Sequence, residues 1–345
     1  MSEMNYNIHD LLKIKIIGSK EFNSRDKLKY SFFETPDEVN NPDILLNIGK
    51  FKPSNNGSEV IAHKFHINEG YFHCRNKGRR AKWELEIFGF GKENTVINFY
   101  GKGQKINDIL FPSFLAQEFL IPIIEHKLAK KGHFLIHSGA VSKDNRAFIF
   151  SGRPGAYKTS LIMDLIRRRN FCYLSDDRVI INKDGVLCFP ISSFLFEFML
   201  NNMPTENRTL SDNIRLFNDI FFNINRNKLN IMRSAKLGSL FFVSKTNKEN
   251  LYGNEIDLKV GVFKLCKNNE AEYISSSPAT PSSLFYKYIL IYSLIYPLND
   301  MINHQKLLYD NLGEIFKRTP MYEIELPSQY NLGTFNKVYE YINGV

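Results

Sequence analysis

The stretch Phe148–Leu161, FIFSGRPGAYKTSL, constrains the fold of this chain more than any other segment. It begins with an apolar run, passes through a turn that contains two glycines and a proline, and leads into TSLIMDLIRRRN, where apolar residues recur at helical spacing. Three arginines and Asn170 end the helical pattern, and cations and asparagine are favoured at a helix C-terminus. The stretch therefore predicts a buried strand, a tight loop and an amphipathic helix.

The loop matches the pattern G-x-x-x-x-G-K-[ST] at every position except one. Its residues are Gly152, Arg153, Pro154, Gly155, Ala156, Tyr157, Lys158 and Thr159, followed by Ser160. In such a loop, backbone N–H groups at a helix N-terminus bind phosphate, the lysine reaches the β- and γ-phosphates, and the last hydroxyl binds magnesium. The match predicts that these nine residues bind a nucleotide.

Tyr157 is the position that departs from the pattern, which has glycine there. If this position requires a positive φ, tyrosine is strained by about 1–2 kcal/mol. If the position is helical, the side chain can point outward and stack on a nucleotide or a neighbour. A glycine-containing turn without a ligand explains a degenerate match equally well, so the loop alone leaves both interpretations open.

Two adjacent carboxylates follow the next apolar run, FCYLS, at Asp176 and Asp177. Phosphoryl transfer needs a carboxylate to hold the metal, and transfer to a hydroxyl is helped by a carboxylate that accepts the proton. Adjacent strand residues point in opposite directions, so the two acids are expected to have different roles. A solvated acidic turn is the alternative, but the spacing from the loop favours the functional interpretation. His137, in LIHSGAV, is equally compatible with a core position and with a site position.

The composition is typical of a folded globular chain, with 43% hydrophobic and 23% charged residues among 345. The net charge of +9 is compatible with anionic ligands, but no basic run with interleaved aromatic residues indicates nucleic acid. The cysteines are scattered without a CxxC pair, which argues against zinc and disulfides and favours a reducing compartment. They are Cys74, Cys172, Cys188 and Cys266.

The sequence predicts neither a signal peptide nor a membrane-spanning helix. The N-terminal residues MSEMNYNIHD lack the charged and apolar regions of a signal peptide. The most apolar windows, FLAQEFLIPII and YILIYSLIYPL, are shorter than the roughly 18 apolar residues that a membrane span needs. We therefore expect a cytoplasmic protein with no membrane partner, and a homo-oligomer stays open.

The chain divides by pattern into two parts. From about residue 13 to 100 short, partly alternating runs predict strands, and GKGQKINDILFP marks a boundary. We expect a smaller β-rich N-terminal domain over 1–108 and a nucleotide-binding domain over 109–345. In the second domain, residues 112–130 predict a helix interrupted by Pro122, and strands, helices and loops alternate after it.

The residues 136–181, IHSGAVSKDNRAFIFSGRPGAYKTSLIMDLIRRRNFCYLSDDRVII, resemble the catalytic core of the HPr kinase/phosphorylase family. That family shares its fold with ATP-dependent phosphoenolpyruvate carboxykinases, so the resemblance implies an α/β, carboxykinase-like P-loop kinase core with a mixed sheet. It also implies ATP and Mg²⁺ as cofactors. By the same resemblance Asp176 is the catalytic base, Lys158 and His137 contact the transferred phosphate, and Thr159 and Asp177 hold the metal.

The resemblance implies an ATP-dependent kinase that transfers the γ-phosphate to a hydroxyl. The acceptor is expected to be a serine of a protein or peptide, free serine or another small metabolite. Two departures qualify it: Tyr157 replaces a glycine of the loop, and a C-terminal "GRN"-like signature is absent, which makes HPr itself a poor candidate acceptor. The alternative is a non-catalytic nucleotide-binding module with a degenerate loop, and the choice between ATP and GTP stays open.

The N-terminal part contains two further patterns. AHKFHINEGYFHC includes His63, His66, His73 and Cys74, but His63 and His66 face opposite sides of a strand and the other two are adjacent, so convergence on a metal is poor. RNKGRRAKW is the densest basic stretch. It predicts a solvated hairpin turn, with a docking site for an acidic peptide or phosphorylated substrate as the alternative.

Overall fold

The computed structural model describes residues 2–18, 30–55, 57–77, 81–103, 119–191, 196, 229–275, 281–296 and 304–345. Contacts divide the chain into two compact units, Met1–Lys131 with Ser276–Gln305 and Gly132–Ser275 with Lys306–Val345. The described residues form two mixed sheets and six α-helices, which confirms a mixed α/β fold. The helices are α1 (Leu120–Lys130), α2 (Lys158–Arg169), α3 (Leu258–Ser275), α4 (Pro281–Ile295), α5 (His304–Ile315) and α6 (Leu332–Gly344).

The predicted boundary at residues 108 and 109 lies outside the described residues. Helix α1, which the sequence pattern assigned to the later domain, belongs by its contacts to the first unit together with α4. In the described part of the chain, no helix has both the length and the apolar character that a membrane crossing requires.

The first unit is built on an eight-stranded sheet in the order β1-β2-β3-β8-β7-β6-β5-β4. Its strands are β1 (Ser2–Ile8), β2 (Leu12–Gly18), β3 (Ile44–Ile48), β4 (Glu59–Ile61), β5 (Phe65–Asn68), β6 (Tyr71–Lys77), β7 (Ala81–Phe88) and β8 (Thr95–Gly103). Short strands within residues 13–100 are confirmed for the described part of that range, and β4 and β5 pair with each other as a hairpin. Burial alternates along β2, because every second side chain of a strand faces the core.

Pro122 does not interrupt helix α1. The helix begins at Leu120, so the proline lies in the first turn, where its missing N–H group would have had no intrahelical partner. The predicted end is confirmed: Lys131 donates its backbone N–H to the last carbonyls, and Gly132 follows with φ of 74°. Residues 112–118 of the predicted helix lie outside the described residues.

The second unit is built on a nine-stranded sheet in the order β12-β10-β11-β15-β14-β13-β9, from which β17 branches by pairing with β15, and β16 pairs with β17. Its strands are β9 (Phe134–Ile136), β10 (Ser138–Lys143), β11 (Arg146–Ser151), β12 (Cys172–Ser175), β13 (Val179–Asn182), β14 (Gly185–Leu187), β15 (Ser234–Lys245), β16 (Tyr252–Glu255) and β17 (Met321–Leu326). Strand β15 lies parallel to both β11 and β17. Buried apolar side chains of α2 and α6 pack with this parallel group in one core cluster.

The apolar run around His137 changes strand partners partway along its length. Residues 134–136 pair with β13, whereas residues 138–143 pair with β11 and β12. His137 is the residue at this change. Strand β12 likewise ends before the two aspartates and the chain resumes as β13, so that both breaks lie beside each other in the second unit.

Candidate functional site

The glycine-rich loop connects the end of β11 to the start of α2, as the sequence predicted. A Cβ atom at Gly152 would collide with the carbonyl oxygen of Val243 on β15, so glycine lets the loop leave the sheet close to its parallel neighbour. Gly155 has φ of 80°, and nothing surrounds the position that its Cβ would occupy. The loop is therefore tight at its first glycine and open at its second.

Tyr157 adopts the first of the two alternatives, a left-handed backbone with φ of 61° and ψ of 17°. Its hydroxyl donates to the carbonyl oxygen of Ser328 over 2.7 Å. Its ring lies 5.4 Å from that of Tyr330, and the Nζ atom of Lys245 lies 5.0 Å from its centroid. The segment after β17 thus holds the tyrosine in the conformation that glycine usually supplies.

The same segment borders a cavity of about 360 Å³ in the second unit. Ser328, whose carbonyl accepts from Tyr157, is one of the lining residues, and Asn331 at the N-terminus of α6 is another. Polar side chains line it beside Leu251 and Pro327. The cavity therefore lies next to Ser328, whose carbonyl accepts the hydrogen bond from Tyr157.

Lys158 is folded back onto the loop. Its Nζ atom donates to the carbonyl of Gly152 and, over 3.3 Å, to that of Arg153, and the side chain is buried. Burial lowers the pKa of Lys158, and the charges of Asp177 and Glu272 oppose that shift. The ammonium group is thus held at the loop, where it can exchange carbonyl oxygens for those of a phosphate.

Asp176 lies at the end of β12 and is partly buried. One carboxylate oxygen, Oδ1, accepts a 2.6 Å hydrogen bond from the hydroxyl of Tyr173, which is fully buried. Burial raises the pKa of Asp176 to about 7; Tyr173 acts in the opposite direction, and Asp177 adds to the increase. A carboxyl group with such a pKa can take up and release a proton near neutral pH.

Asp177 faces a different set of partners. Its Oδ1 lies 3.3 Å from Nδ1 of His137, and its Oδ2 lies 3.5 Å from Nε of Arg178. The two aspartates therefore point apart, as expected from their adjacency. Of the two carboxylates that raise the pKa of Lys158, Asp177 has the larger effect. The carboxylate and the loop lysine therefore interact electrostatically.

His137 connects this group to helix α3. Its Nε2 atom lies 3.5 Å from Oε2 of Glu272, and its backbone N–H donates to Oδ1 of Asn269 over 2.7 Å. Asn268 donates from Nδ2 to the hydroxyl oxygen of Ser151, the last residue of β11. Helix α3 thus supplies three polar side chains to the site.

Sequence reasoning missed these α3 residues and Tyr173. Asn268, Asn269 and Glu272 lie at helical spacing, but that part of the chain carried no regular apolar pattern from which a helix could be placed. Tyr173 precedes Asp176 by three residues and reads as an ordinary strand aromatic. A role for these residues can be recognised only once the fold brings β9, β12 and α3 together.

A glycine outside the loop, on β10, allows the helix that follows the loop to lie close to the aspartates. A Cβ atom at Gly139 of β10 would collide with Cδ1 of Ile162 on α2 and would lie 3.2 Å from the backbone oxygen of Asp176. Glycine therefore allows the helix that begins at Lys158 and the strand end that carries Asp176 to approach the same point of β10.

Most of the remaining predicted loop residues are at least partly exposed, so that a nucleotide could reach them. Arg153, Pro154 and Gly155 are exposed, Ala156 is buried, and Thr159 and Ser160 are partly buried in the first turn of α2. Tyr157, the N-cap residue, makes no capping bond with its side chain, because its hydroxyl is turned to Ser328. Donors at a helix N-terminus suit an anion, so these residues fit a phosphate group.

Among the described residues, no group of three or more histidine, cysteine, aspartate and glutamate side chains is arranged to hold a metal ion. Magnesium is usually bound by one or two carboxylates together with substrate phosphates and water rather than by an all-protein cage. Thr159 and Asp177 offer the oxygen donors that such a metal takes.

No protein-family model matches this chain, and a search of curated proteins finds no match.

Proposed function

We propose that the second unit is an ATP-dependent kinase, with a carboxykinase-like P-loop core, that transfers the γ-phosphate to a hydroxyl group. The observation that carries the proposal is the pairing of a glycine-rich loop with a carboxyl group whose pKa burial raises to about 7. A loop that only binds nucleotide has no need of such a group, whereas transfer to a hydroxyl does.

In this proposal the nucleotide phosphates bind at the loop 152–157 and the first turn of α2. Lys158 leaves the carbonyls of Gly152 and Arg153 and pairs with a phosphate. The backbone at Gly155 is open, which allows close approach of an anion. Thr159 and Asp177 would hold Mg²⁺, which neutralises charge on the phosphates when bound.

Asp176 takes up the proton of the acceptor hydroxyl. Tyr173 holds the carboxylate oxygen Oδ1 over 2.6 Å and thereby leaves Oδ2 for the acceptor. His137 lies between Asp177 and Glu272, and we assign it a contact with the transferred phosphate. The acceptor is a hydroxyl of a serine in a protein or peptide, of free serine or of a small metabolite.

The second candidate function is a nucleotide-binding module without catalysis. The observation in its favour is Tyr157, whose left-handed backbone and hydrogen bond to Ser328 make the loop differ from the usual pattern. Such a module needs Lys158 and the loop but not the proton acceptor.

The first test is magnesium-dependent binding of ATP and GTP by calorimetry. We expect binding in the wild type and a loss of at least about 10-fold in affinity for Lys158→Ala, because a charge-assisted bond to phosphate is removed. Lys236→Ala is the matched control. This exposed lysine lies opposite Arg146 in the pairing of β15 with β11, at the end of β11 that is remote from the loop. Absence of binding in the wild type would contradict both candidate functions.

The second test separates catalysis from binding. Wild-type protein is incubated with γ-labelled ATP and a panel of hydroxyl acceptors, and phosphate transfer and ATP hydrolysis are measured. We expect Asp176→Asn to lose about 100-fold or more in turnover while it keeps nucleotide affinity, in line with the contribution of a general base. Nucleotide binding without any turnover in the wild type would favour the binding module, and equal turnover in the variant and the wild type would exclude Asp176 as the base.

A further inference from the structure

The first unit contains a cavity of about 670 Å³ beside strands β5 and β6. The described lining residues are Pro53, Asn55, His63, Lys64, His66, His73, Arg75 and Asn76. Five of these eight carry an imidazole, ammonium or guanidinium group, and none of the described lining residues is a carboxylate. A cavity lined in this way favours a negatively charged ligand.

His73 is the most deeply buried of the cationic residues that line this cavity. The side chain is 4% exposed, and its Nε2 atom lies 3.0 Å from Oε1 of Glu84. Its other ring nitrogen, Nδ1, is buried without a hydrogen-bond partner among the residues that the structure describes. A buried polar atom without a partner carries a free-energy cost that a ligand can remove.

The acids beneath the cavity are already engaged by protein groups. Glu84 accepts from Nη2 of Arg75 over 2.6 Å as well as lying beside His73. Glu86 accepts from the backbone N–H of Ser54 over 2.6 Å and from Nδ2 of Asn98 over 3.0 Å. These bonds orient both carboxylates toward neighbouring strands and loops, so that the lining presents donors to the cavity.

The cationic groups come from two neighbouring strands, β5 and β6, and from the turn that precedes β5. His66 on β5 is directly opposite His73 on β6, with ring centroids 5.2 Å apart, and Arg75 follows His73 on the same face. Lys64, exposed at the end of the β4–β5 turn, lies with Nζ 5.5 Å from the ring of Phe65. The cationic groups that line the cavity therefore come from the turn, from β5 and from β6.

We propose that this cavity binds a small oxyanion, a phosphate ester or a carboxylate, with His73 and Lys64 among its ligands. The proposal is independent of the kinase function of the second unit. The anion supplies an acceptor for a proton on Nδ1 of His73, while Nε2 keeps its bond to Glu84. The ring then becomes an imidazolium ion between two negative groups.

The protonation of His73 gives a specific signal. Burial lowers the pKa of His73 in the free protein, and Glu84 opposes this shift. The titratable groups around the ring are His66 on β5, Arg75 on its own strand, and Glu84 and Glu86 on β7. An added negative charge favours the protonated ring, so the midpoint of the His73 titration moves to higher pH when the ligand binds.

The experiment uses the full-length chain and nitrogen-15 NMR of the histidine rings. The probes are inorganic phosphate, glycerol phosphate and succinate, titrated separately. We expect a saturable change at His73 and an upward shift of its titration midpoint. Tighter binding of glycerol phosphate identifies the phosphate-ester class, and tighter binding of succinate identifies the carboxylate class.

Two lysine variants separate a site from general attraction of anions. Lys64→Gln removes a charge that lines the cavity, and we expect about a 10-fold loss of affinity, the effect of one charge-assisted bond. Lys82→Gln is the control, because this exposed lysine of β7 does not belong to the described lining. Equal losses in the two variants, or no saturable change at His73 with any probe, would overturn the proposal.

Discussion

Tyr157 keeps a left-handed backbone conformation through the contacts of its side chain. Such a conformation costs a non-glycine residue about 1–2 kcal/mol. A hydrogen bond to Ser328 contributes about 1 kcal/mol, the ring pair with Tyr330 about 0.5–1.5 kcal/mol and the cation of Lys245 about 0.5–1 kcal/mol. The contacts are therefore sufficient to offset the strain.

Replacement of Tyr157 tests this balance. Tyr157→Gly removes both the strain and the contacts, and we expect a net loss of about 1 kcal/mol in the free energy of unfolding. Tyr157→Phe removes only the hydroxyl bond to Ser328, and we expect a similar loss of about 1 kcal/mol from that bond alone. Urea denaturation measures both. A glycine variant more stable than the wild type would mean that the strain exceeds the contacts.

Asp176 is a residue at which the proposed function and stability oppose each other. Because burial raises its pKa to about 7 in the folded state, the folded protein binds this proton more tightly than the unfolded chain. Its contribution to stability therefore decreases as pH rises from the ordinary carboxyl range to about 7, and stays low above it.

Asp176→Asn removes this effect. Relative to the wild type, we expect the variant to gain about 1–2 kcal/mol in the free energy of unfolding between pH 4.5 and pH 8, allowing for the partial exposure of the side chain. Tyr173→Phe removes the hydrogen bond that lowers the pKa of Asp176, and should move the stability change to higher pH. Denaturant titrations across this range measure both variants, and a pH-independent difference would contradict the expectation.

At the scale of elements, β11, the loop and α2 were predictable from sequence because their signals are local. Glycines mark the turn, and apolar spacing marks the helix that starts at Lys158. The break at His137 was not predictable, because β9 and β10 pair with different strands that lie far along the chain. Helix α3 was missed for a related reason: polar residues on its site-facing side interrupt the apolar pattern.

The approach of α2 to β10 is a further feature that depends on packing and not on local sequence. Alanine at Gly139 would bring its Cβ onto Cδ1 of Ile162, which is the end of a side chain and can be removed by substitution. We expect Gly139→Ala to destabilise by about 2 kcal/mol, in the range of overpacked cores. Ile162→Val deletes the colliding atom.

A double-mutant cycle tests this contact. Ile162→Val alone should cost about 1 kcal/mol through the lost methyl group. In the double variant the two losses should be less than additive by about 1 kcal/mol, because the collision is absent. Denaturant unfolding of the four proteins gives the coupling energy. Additive losses would mean that the backbone oxygen of Asp176, and not Ile162, limits the space at Gly139.

At the scale of the whole molecule, the chain passes between its units more than once. Residues 276–305 return to the first unit after the second has begun. Helix α4 of that segment packs the ring of Tyr288 against that of Phe72 on β6, with centroids 3.8 Å apart. The hydroxyl of Tyr292 lies 3.0 Å from the backbone nitrogen of Gly70, which donates to it. The first unit therefore depends on residues remote in sequence, which a boundary near residue 108 would remove.

The single tryptophan of the chain, Trp83, lies on β7 and is buried beside Phe119, so its fluorescence reports on the first unit. Tyr288→Ala empties a buried aromatic position in that unit, and we expect a loss of about 3–4 kcal/mol in the unfolding transition seen by Trp83. Phe335→Ala is the matched variant, because this fully buried aromatic residue belongs to the core of the second unit. It should lower stability measured by circular dichroism while shifting the Trp83 transition much less. Equal shifts of the Trp83 transition in the two variants would mean that the units unfold as one cooperative system, and that α4 has no special role in the first.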